Sequence, residues 1–352
     1  MDKADVLAYA QRGEELSDRE LIGLDFSDCD LSALTFDHVR FSQCRFVRSQ
    51  MQECTFVHCH FDQVVFDQAD LDKSMWQECV LSDSVHFTQS TLTHGMMQAC
   101  TLVGVGFEQC DLQHLSIKDS NLQQTLFTQG QFSHAVLFRS QLDGSRFVST
   151  ALDQFTFYQL DLRKWTWEGL SLDRVVFMEC QLSALDFSHV SMPMCQFLDC
   201  SMPDTVFDSA DITQCSFKGC DLSQASFQGA QATYALFPQA VLDRARFDGA
   251  QLANSVWVDS VAVKARWHQA YLLQAVFHRA DLRDAVFSHC HLNATDFSYA
   301  VLLGARFDGA EFARTQFHAA VTDDPLLKKQ PKVLADDPEL YKAELWTQQY
   351  RS

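Results

Sequence analysis

TVFDSADITQCSFKGCDLSQASFQG, residues Thr205 to Gly229, sets Phe207, Ile212, Phe217, Leu222 and Phe227 five residues apart. Two residues before each stands something small: Thr205, Ala210, Cys215, Cys220 and Ala225. The same beat extends outward in both directions. It runs from Leu21 and Phe26 through Phe56 to Leu81, and from Phe87 through Phe307 to Phe317, with one extra residue between Leu81 and Phe87. A period of five fits neither the 3.6 residues of a helix nor the two of a strand. It needs a short extended stretch and a corner, repeated, so that one large and one small side chain in each five point inward. Gly104, Gly219, Gly229 and Gly249, two residues after the large position, suit a corner with positive φ. A fixed short period means a solenoid, one small unit stacked on copies of itself around a continuous core.

The number of sides follows from a second rhythm. After residue 87 the large position alternates Phe and Leu, as in Phe277, Leu282, Phe287, Leu292 and Phe297. A ten-residue alternation suits four sides, because three would mix Phe and Leu on every face. Four sides give pure columns: Phe187, Phe207, Phe227, Phe247 on one, Leu182, Met202, Leu222, Leu242 on its neighbour. Residues 21–319 then make about 15 four-sided coils at twenty residues each.

Units such as Ala280-Asp281-Leu282-Arg283-Asp284 and Cys220-Asp221-Leu222-Ser223-Gln224 resemble those of the pentapeptide-repeat proteins. The resemblance covers about residues 21–319 and implies an all-β solenoid, a right-handed quadrilateral β-helix. Known members of that family include topoisomerase-binding DNA mimics and secreted effectors. The stretch Arg12-Gly13-Glu14-Glu15-Leu16 resembles the start of repeat proteins associated with bacterial type VI secretion, which implies adaptor or effector-linked work.

The expected organisation is an N-terminal helical cap (1–20), the repeat domain (21–319) and a C-terminal linker and helix (320–352). Asp2 reads as an N-cap and Gly13 as the residue past the helix end, with Val6, Leu7 and Ala10 toward the first coil. Asp336-Asp337-Pro338-Glu339 reads as a second helix start. The apolar side of that helix (Leu340, Tyr341, Leu345, Trp346) is expected to seal the last coil, with pairing of two copies or recognition of a partner as the other uses.

All 13 cysteines occupy the small inward position, so they read as core filler in a reducing compartment. His94, His114 and His134 recur every twenty residues and should stack on one corner, as a polar ladder rather than a metal site. No Walker loop, dinucleotide fingerprint, nucleophile elbow or zinc-protease motif is present. The expectation is therefore a non-enzyme, with no cofactor and no assigned metal ligands. The N-terminus has no basic-then-apolar leader, and no apolar run approaches the ~18 residues of a membrane span. A cytoplasmic chain without membrane insertion is expected, leaderless secretion staying open.

The net charge of −19 disfavours direct binding of nucleic acid, whose phosphates would be repelled. Mimicry of DNA is the alternative. A stack of about 15 coils at roughly 4.8 Å is on the order of 70 Å long, and duplex DNA of that length carries about 40 charges, more than twice this net value. The acid is also uneven, since residues 25–83 hold 11 acids against four bases while residues 84–140 are nearly neutral.

A protein-binding scaffold is the favoured reading, and its candidate site is apolar. Phe138, Tyr158, Met178 and Leu198 recur at one outward position. Phe155, Leu160, Trp165, Leu170 and Val175 fill the normally small slot nearby, so those coils must widen, bend or eject a side chain. Phe138, Tyr158, Trp165, Met178 and Leu198, with the C-terminal apolar side, are the expected contacts for a protein partner.

Overall fold

The structure, a computed structural model, describes residues 1–336 and 338–349. Asp337, one member of the expected second helix start, lies outside the described residues, as do 350–352. The chain forms two compact units, Met1–Gln181 and Leu182–Ser352. Both are built from the same four-sided parallel coil, with about 15 turns in all.

In the first unit each strand is two or three residues long and pairs, in parallel, with the strand one coil away. One face runs through Thr35–Asp37, Thr55–Val57, Met75–Gln77, Met96–Gln98, Ser116–Lys118, Val136–Phe138, Thr156–Tyr158 and Val176–Met178. Another begins at Glu20–Ile22 and Arg40–Ser42, a third at Arg45–Val47 and Val65–Asp67, and a fourth includes Gln131–Ser133 and Ala151–Asp153. The central residue of each short strand points inward, which puts one large apolar group in five on the axis. Phe26, Phe46, Phe66, Phe87, Phe107, Phe127 and Phe147 form a column with ring centroids 4.6–5.1 Å apart.

The extra residue after Leu81 is absorbed at a corner. Phe66 still pairs with Phe87, although 21 residues separate them, and Val85 fills the inward slot. The Gln63 N–H, whose counterpart at Gln43 donates to a backbone carbonyl, here donates to the Ser84 hydroxyl at 2.9 Å.

The second unit repeats the plan with more open strands, linked by successive parallel bridges such as Ser201↔Asp221↔Val241↔Val261. Phe207, Phe227 and Phe247 stack at 4.8 and 4.7 Å. A second column on the opposite face, Phe197, Phe217 and Phe237, stacks at 4.9 and 5.0 Å. The two columns meet edge to face across the interior, as Phe217 and Phe227 do at 84°. That is a favourable arrangement of ring quadrupoles.

The small slot has its own chemistry. All thirteen thiols are free and buried, and many donate to a carbonyl of the preceding coil: Cys44 to Leu21 at 3.3 Å, Cys54 to Leu31 at 3.0 Å. Thr125 and Thr295 hydroxyls do the same, to Leu102 and Leu272, at 2.7 and 2.8 Å. Small size and a donor that satisfies a buried acceptor explain why Cys, Thr and Ala exchange there.

Corners depart from the glycine expectation. Most left-handed corner residues are Gln, His, Arg or Asp, with φ near 50–60° as at Gln109, His114 and Arg279. Such a residue costs about 1 kcal/mol, offset in part because its N–H donates to the next coil, as Gln109 does to Thr128 at 2.8 Å. Stacked amides add to this, Gln89 donating to Gln109 and Gln109 to Gln129 at 2.8 Å each.

Helix α1 (Lys3–Arg12) begins at a reciprocal capping box between Asp2 and Asp5, ends at left-handed Gly13, and buries Val6. Asp2→Ala should raise amide exchange throughout α1 and cost about 1 kcal/mol of local stability; unchanged exchange would show that packing of Val6 alone holds the helix.

The C-terminal expectation needs correcting. Residues 322–336, not the helix, cross the last coil: Leu327 is buried, and Leu334 N–H donates to Thr315 O at 2.9 Å. Helix α2 (Pro338–Gln349) is tied on by Glu344, which accepts from Tyr299 Oη and lies 3.3 Å from His318 Nε2. Leu340, Tyr341, Leu345 and Trp346 all remain exposed, Trp346 at 62%. The helix reaches the solenoid through Glu344 and through Tyr341, whose ring lies 6.3 Å from that of His318. Among the described residues, no helix is long and apolar enough to cross a membrane.

Candidate functional site

One edge of the first unit gathers the unusual side chains. On the face that includes Thr35–Asp37, the third residue of each strand from there on points outward, and these residues lie in register as Asp37, Val57, Gln77, Gln98, Lys118, Phe138, Tyr158 and Met178. The column is polar at one end and apolar at the other.

At the apolar end Phe138, Tyr158 and Met178 are each half-buried. The Phe138 and Tyr158 rings stack at 4.8 Å with 20° between planes. Arg139 lies over the Phe138 ring, 4.3 Å from its centre, and Lys118 lies 5.8 Å away. Arg139 is itself held by two hydrogen bonds to Asp119, at 2.8 and 3.0 Å. A ridge of two stacked rings and a thioether, edged by a fixed guanidinium, offers apolar area at small entropic cost, because the rings are already ordered. Leu198, the fourth expected member, belongs to the second unit, where it ends the strand Gln196–Leu198 and is half-buried.

The bulky coils resolve by ejection. Phe155, Leu160, Trp165 and Val175 are all inside, at 0–2% exposure. Trp165 packs against Phe147, Phe157 and Trp167. Two large indoles cannot share one coil, so Trp167, at the position normally inward, is left half-exposed together with Leu170. Trp165 therefore cannot present its face to a partner, and Trp167 is the indole at the surface.

A series of surface carboxylates is paired with bases of neighbouring coils. Arg48 pairs with Asp28, Arg139 with Asp119, Lys164 with Asp143, Arg174 with Asp153 and Arg279 with Asp259, each at 2.6–2.8 Å and each between neighbouring coils. The Arg163 guanidinium beside Asp161 holds its carboxyl below the usual range, and Arg283 does the same for Asp281. His94, His114 and His134 stack as expected, at 4.7 and 4.9 Å. Near the C-terminus a cleft of about 470 Å³ is lined by His278, Asp296, Tyr299, His318 and Leu340. Hydrogen bonding to Glu344 pushes the Tyr299 hydroxyl up to about 12.

Two family profiles match the chain. One, described as a pentapeptide repeat region, matches residues 23–94. The other, pentapeptide repeats in eight copies, matches 180–219, 220–256 and 285–321. No curated protein matches in sequence. Among solved structures, the chain is similar to HetL, a pentapeptide repeat protein involved in heterocyst differentiation regulation from Nostoc sp. strain PCC 7120. That likeness is 16% identical, covers 90% of this chain and 96% of the other, and has a TM-score of 0.18. QnrB1, a plasmid-mediated fluoroquinolone resistance protein, is 13% identical over 52% of this chain and 93% of its own, with a TM-score of 0.22. A mannuronic-acid-specific family 6 polysaccharide lyase from human gut microbiota is 10% identical over 99% of this chain and 93% of its own, also at 0.22. At these scores the likenesses carry no functional argument.

Proposed function

Because the chain belongs to the pentapeptide-repeat proteins, whose coils expose ordered side-chain columns, we infer that it is a non-enzymatic scaffold that docks a protein partner on the ridge Phe138, Tyr158 and Met178. The ordered stack of Phe138 on Tyr158 at 4.8 Å carries this reading. Aromatic groups beside an arginine are the side chains that dominate affinity at protein interfaces. Helix α2 is a second contact in the same reading, through Leu340, Tyr341, Leu345 and Trp346, either to a partner or to another copy.

DNA mimicry is the weaker reading because of the ion pairs. A mimic must present unneutralised negative charge at duplex density, whereas here Asp28, Asp119, Asp143, Asp153 and Asp259 each face a base of a neighbouring coil. The stretch Arg12–Leu16 has a local structural use, with Arg12 paired to Glu14 at 2.9 Å where α1 turns into the first strand. It adds nothing in favour of a secretion role.

The test is capture of the partner by the native chain and by a Phe138→Glu, Tyr158→Glu, Met178→Glu variant. These residues are half-buried on the outer wall, so the coils should stay folded. Affinity should fall by roughly a thousandfold or more, given about 1.5 kcal/mol or more for each of the three buried anchors lost. Full retention of the complex would place the contact elsewhere. Supercoiling by purified gyrase should proceed unaffected at micromolar concentrations of the protein; a stall would favour mimicry instead.

A further inference from the structure

We propose that Asp37, His38 and His58, at the polar end of the same edge, form a binding site for a divalent transition-metal ion such as Zn²⁺. Asp37 ends its strand, and His38 takes the left-handed corner that follows, at φ 53°. His58 occupies the same corner one coil on, at φ 51°. The corner geometry thus brings three donors together from two coils. One ligand atom from each, two imidazole nitrogens and a carboxylate oxygen, lie within 4.8 Å of one another. His38 Nδ1 is 2.8 Å from Asp37 Oδ1, and His58 Nδ1 is 3.6 Å from the same oxygen. Bonds of about 2.0–2.2 Å put the ligand atoms of one tetrahedral zinc roughly 3.3 Å apart, so small rotations suffice.

Three further observations separate this cluster from an ordinary polar ladder. His58 Nδ1 is buried and makes no hydrogen bond. An enclosed nitrogen lone pair or N–H without a partner is uncommon. The other nitrogen, Nε2, faces Glu78 Oε2 at 3.3 Å. That is the carboxylate-to-imidazole arrangement that fixes the tautomer of a metal-ligating histidine. Finally, the His38 and His58 rings are tilted by 32°, with the Asp37 carboxylate beside them. In the His94 ladder the rings are parallel within 9° and 16°, so their lone pairs run side by side and do not converge.

Two imidazoles and one carboxylate suit zinc, nickel or copper rather than calcium or magnesium. Three protein ligands leave one coordination position for water, or for a group from a docked molecule.

The experiment is calorimetric titration of zinc chloride into the chelator-treated full chain, with cobalt absorption as a second readout. One Zn²⁺ per chain should bind. Asp37→Asn and His58→Gln should each weaken binding at least tenfold, and Glu78→Gln about tenfold. His114→Gln should leave it unchanged. Gln already occupies left-handed corners at Gln43 and Gln63, so His58→Gln is compatible with the fold, and Asp37→Asn changes no volume. Cobalt should give tetrahedral bands without thiolate charge transfer. Absence of binding, equal binding by both variants, or a thiolate spectrum would each overturn the proposal, the last by assigning the ion to cysteine.

Discussion

Phe227→Ala should be the most damaging single substitution of the second unit, costing about 3–5 kcal/mol. Phe227 is fully buried, with Phe207 and Phe247 stacked on its two faces and the edges of Phe217 and Phe237 against it. Removing the ring opens a cavity that four neighbours border. The coils above and below cannot collapse into it, because their spacing is fixed by backbone bonds such as Phe227 N–H to Arg246 O at 2.7 Å. Phe227→Leu should cost about 1.5 kcal/mol or less, since most of the volume is kept. Stacked repeats also lose cooperativity when one interface weakens, so the urea profile of the alanine variant should split into two steps. An alanine variant within about 1 kcal/mol of the native chain would mean that the column does not carry the stability of its coils.

Alkaline pH should unfold the protein through its cysteines. Burial pushes the thiols of Cys54 and Cys290 from the ordinary value of 9.0 to about 12, and that of Cys110 to about 11. Between pH 9 and 12 the unfolded chain gives up these protons while the folded chain keeps them. The unfolded state then binds fewer protons, so stability is whole below pH 9 and falls as pH rises toward the folded value. At pH 10.5, Cys54 and Cys290 should each withdraw roughly 2 kcal/mol. Alanine fits the same slot elsewhere, as at Ala225 and Ala245. A Cys54→Ala, Cys290→Ala variant should therefore lose less stability than the native chain between pH 9 and 10.5. Parallel pH profiles for the two would show that the thiols take no part. The same burial should leave all 13 thiols unreactive toward alkylating reagents until the coils open.

The five-residue beat was enough to read the coil, the four faces and the cysteine slot, because each depends only on which residues recur at which spacing. Helix α1 was legible for a similar reason, since Asp2 and Gly13 act within one turn of the chain. Competition between side chains was not legible. Trp165 and Trp167 both suit an interior, and the pattern favours Trp167; only packing against Phe147 and Phe157 puts Trp165 inside. Helix α2 was legible only in part: its apolar residues suggest a sealing face, whereas they stay largely exposed and its anchor combines Glu344, on Tyr299 and His318, with the Tyr341 ring beside His318. The convergence of Asp37, His38 and His58 escaped as well. Spacing places His38 and His58 on one corner, just as it places His94 and His114, and only the side-chain arrangement distinguishes the two sets: the tilted rings, the enclosed His58 Nδ1 and Glu78 on its other nitrogen.

The irregular corner from Ser82 to Val85 shows what this architecture forgives. One surplus residue bulges outward there, while Phe66 and Phe87 keep a 4.6 Å stack and near-parallel rings. Backbone pairing runs from coil to coil, so a detour at a vertex leaves the walls on either side untouched. Exposed vertices of this kind are natural places to splice in foreign peptide, for display or labelling, without remaking the interior.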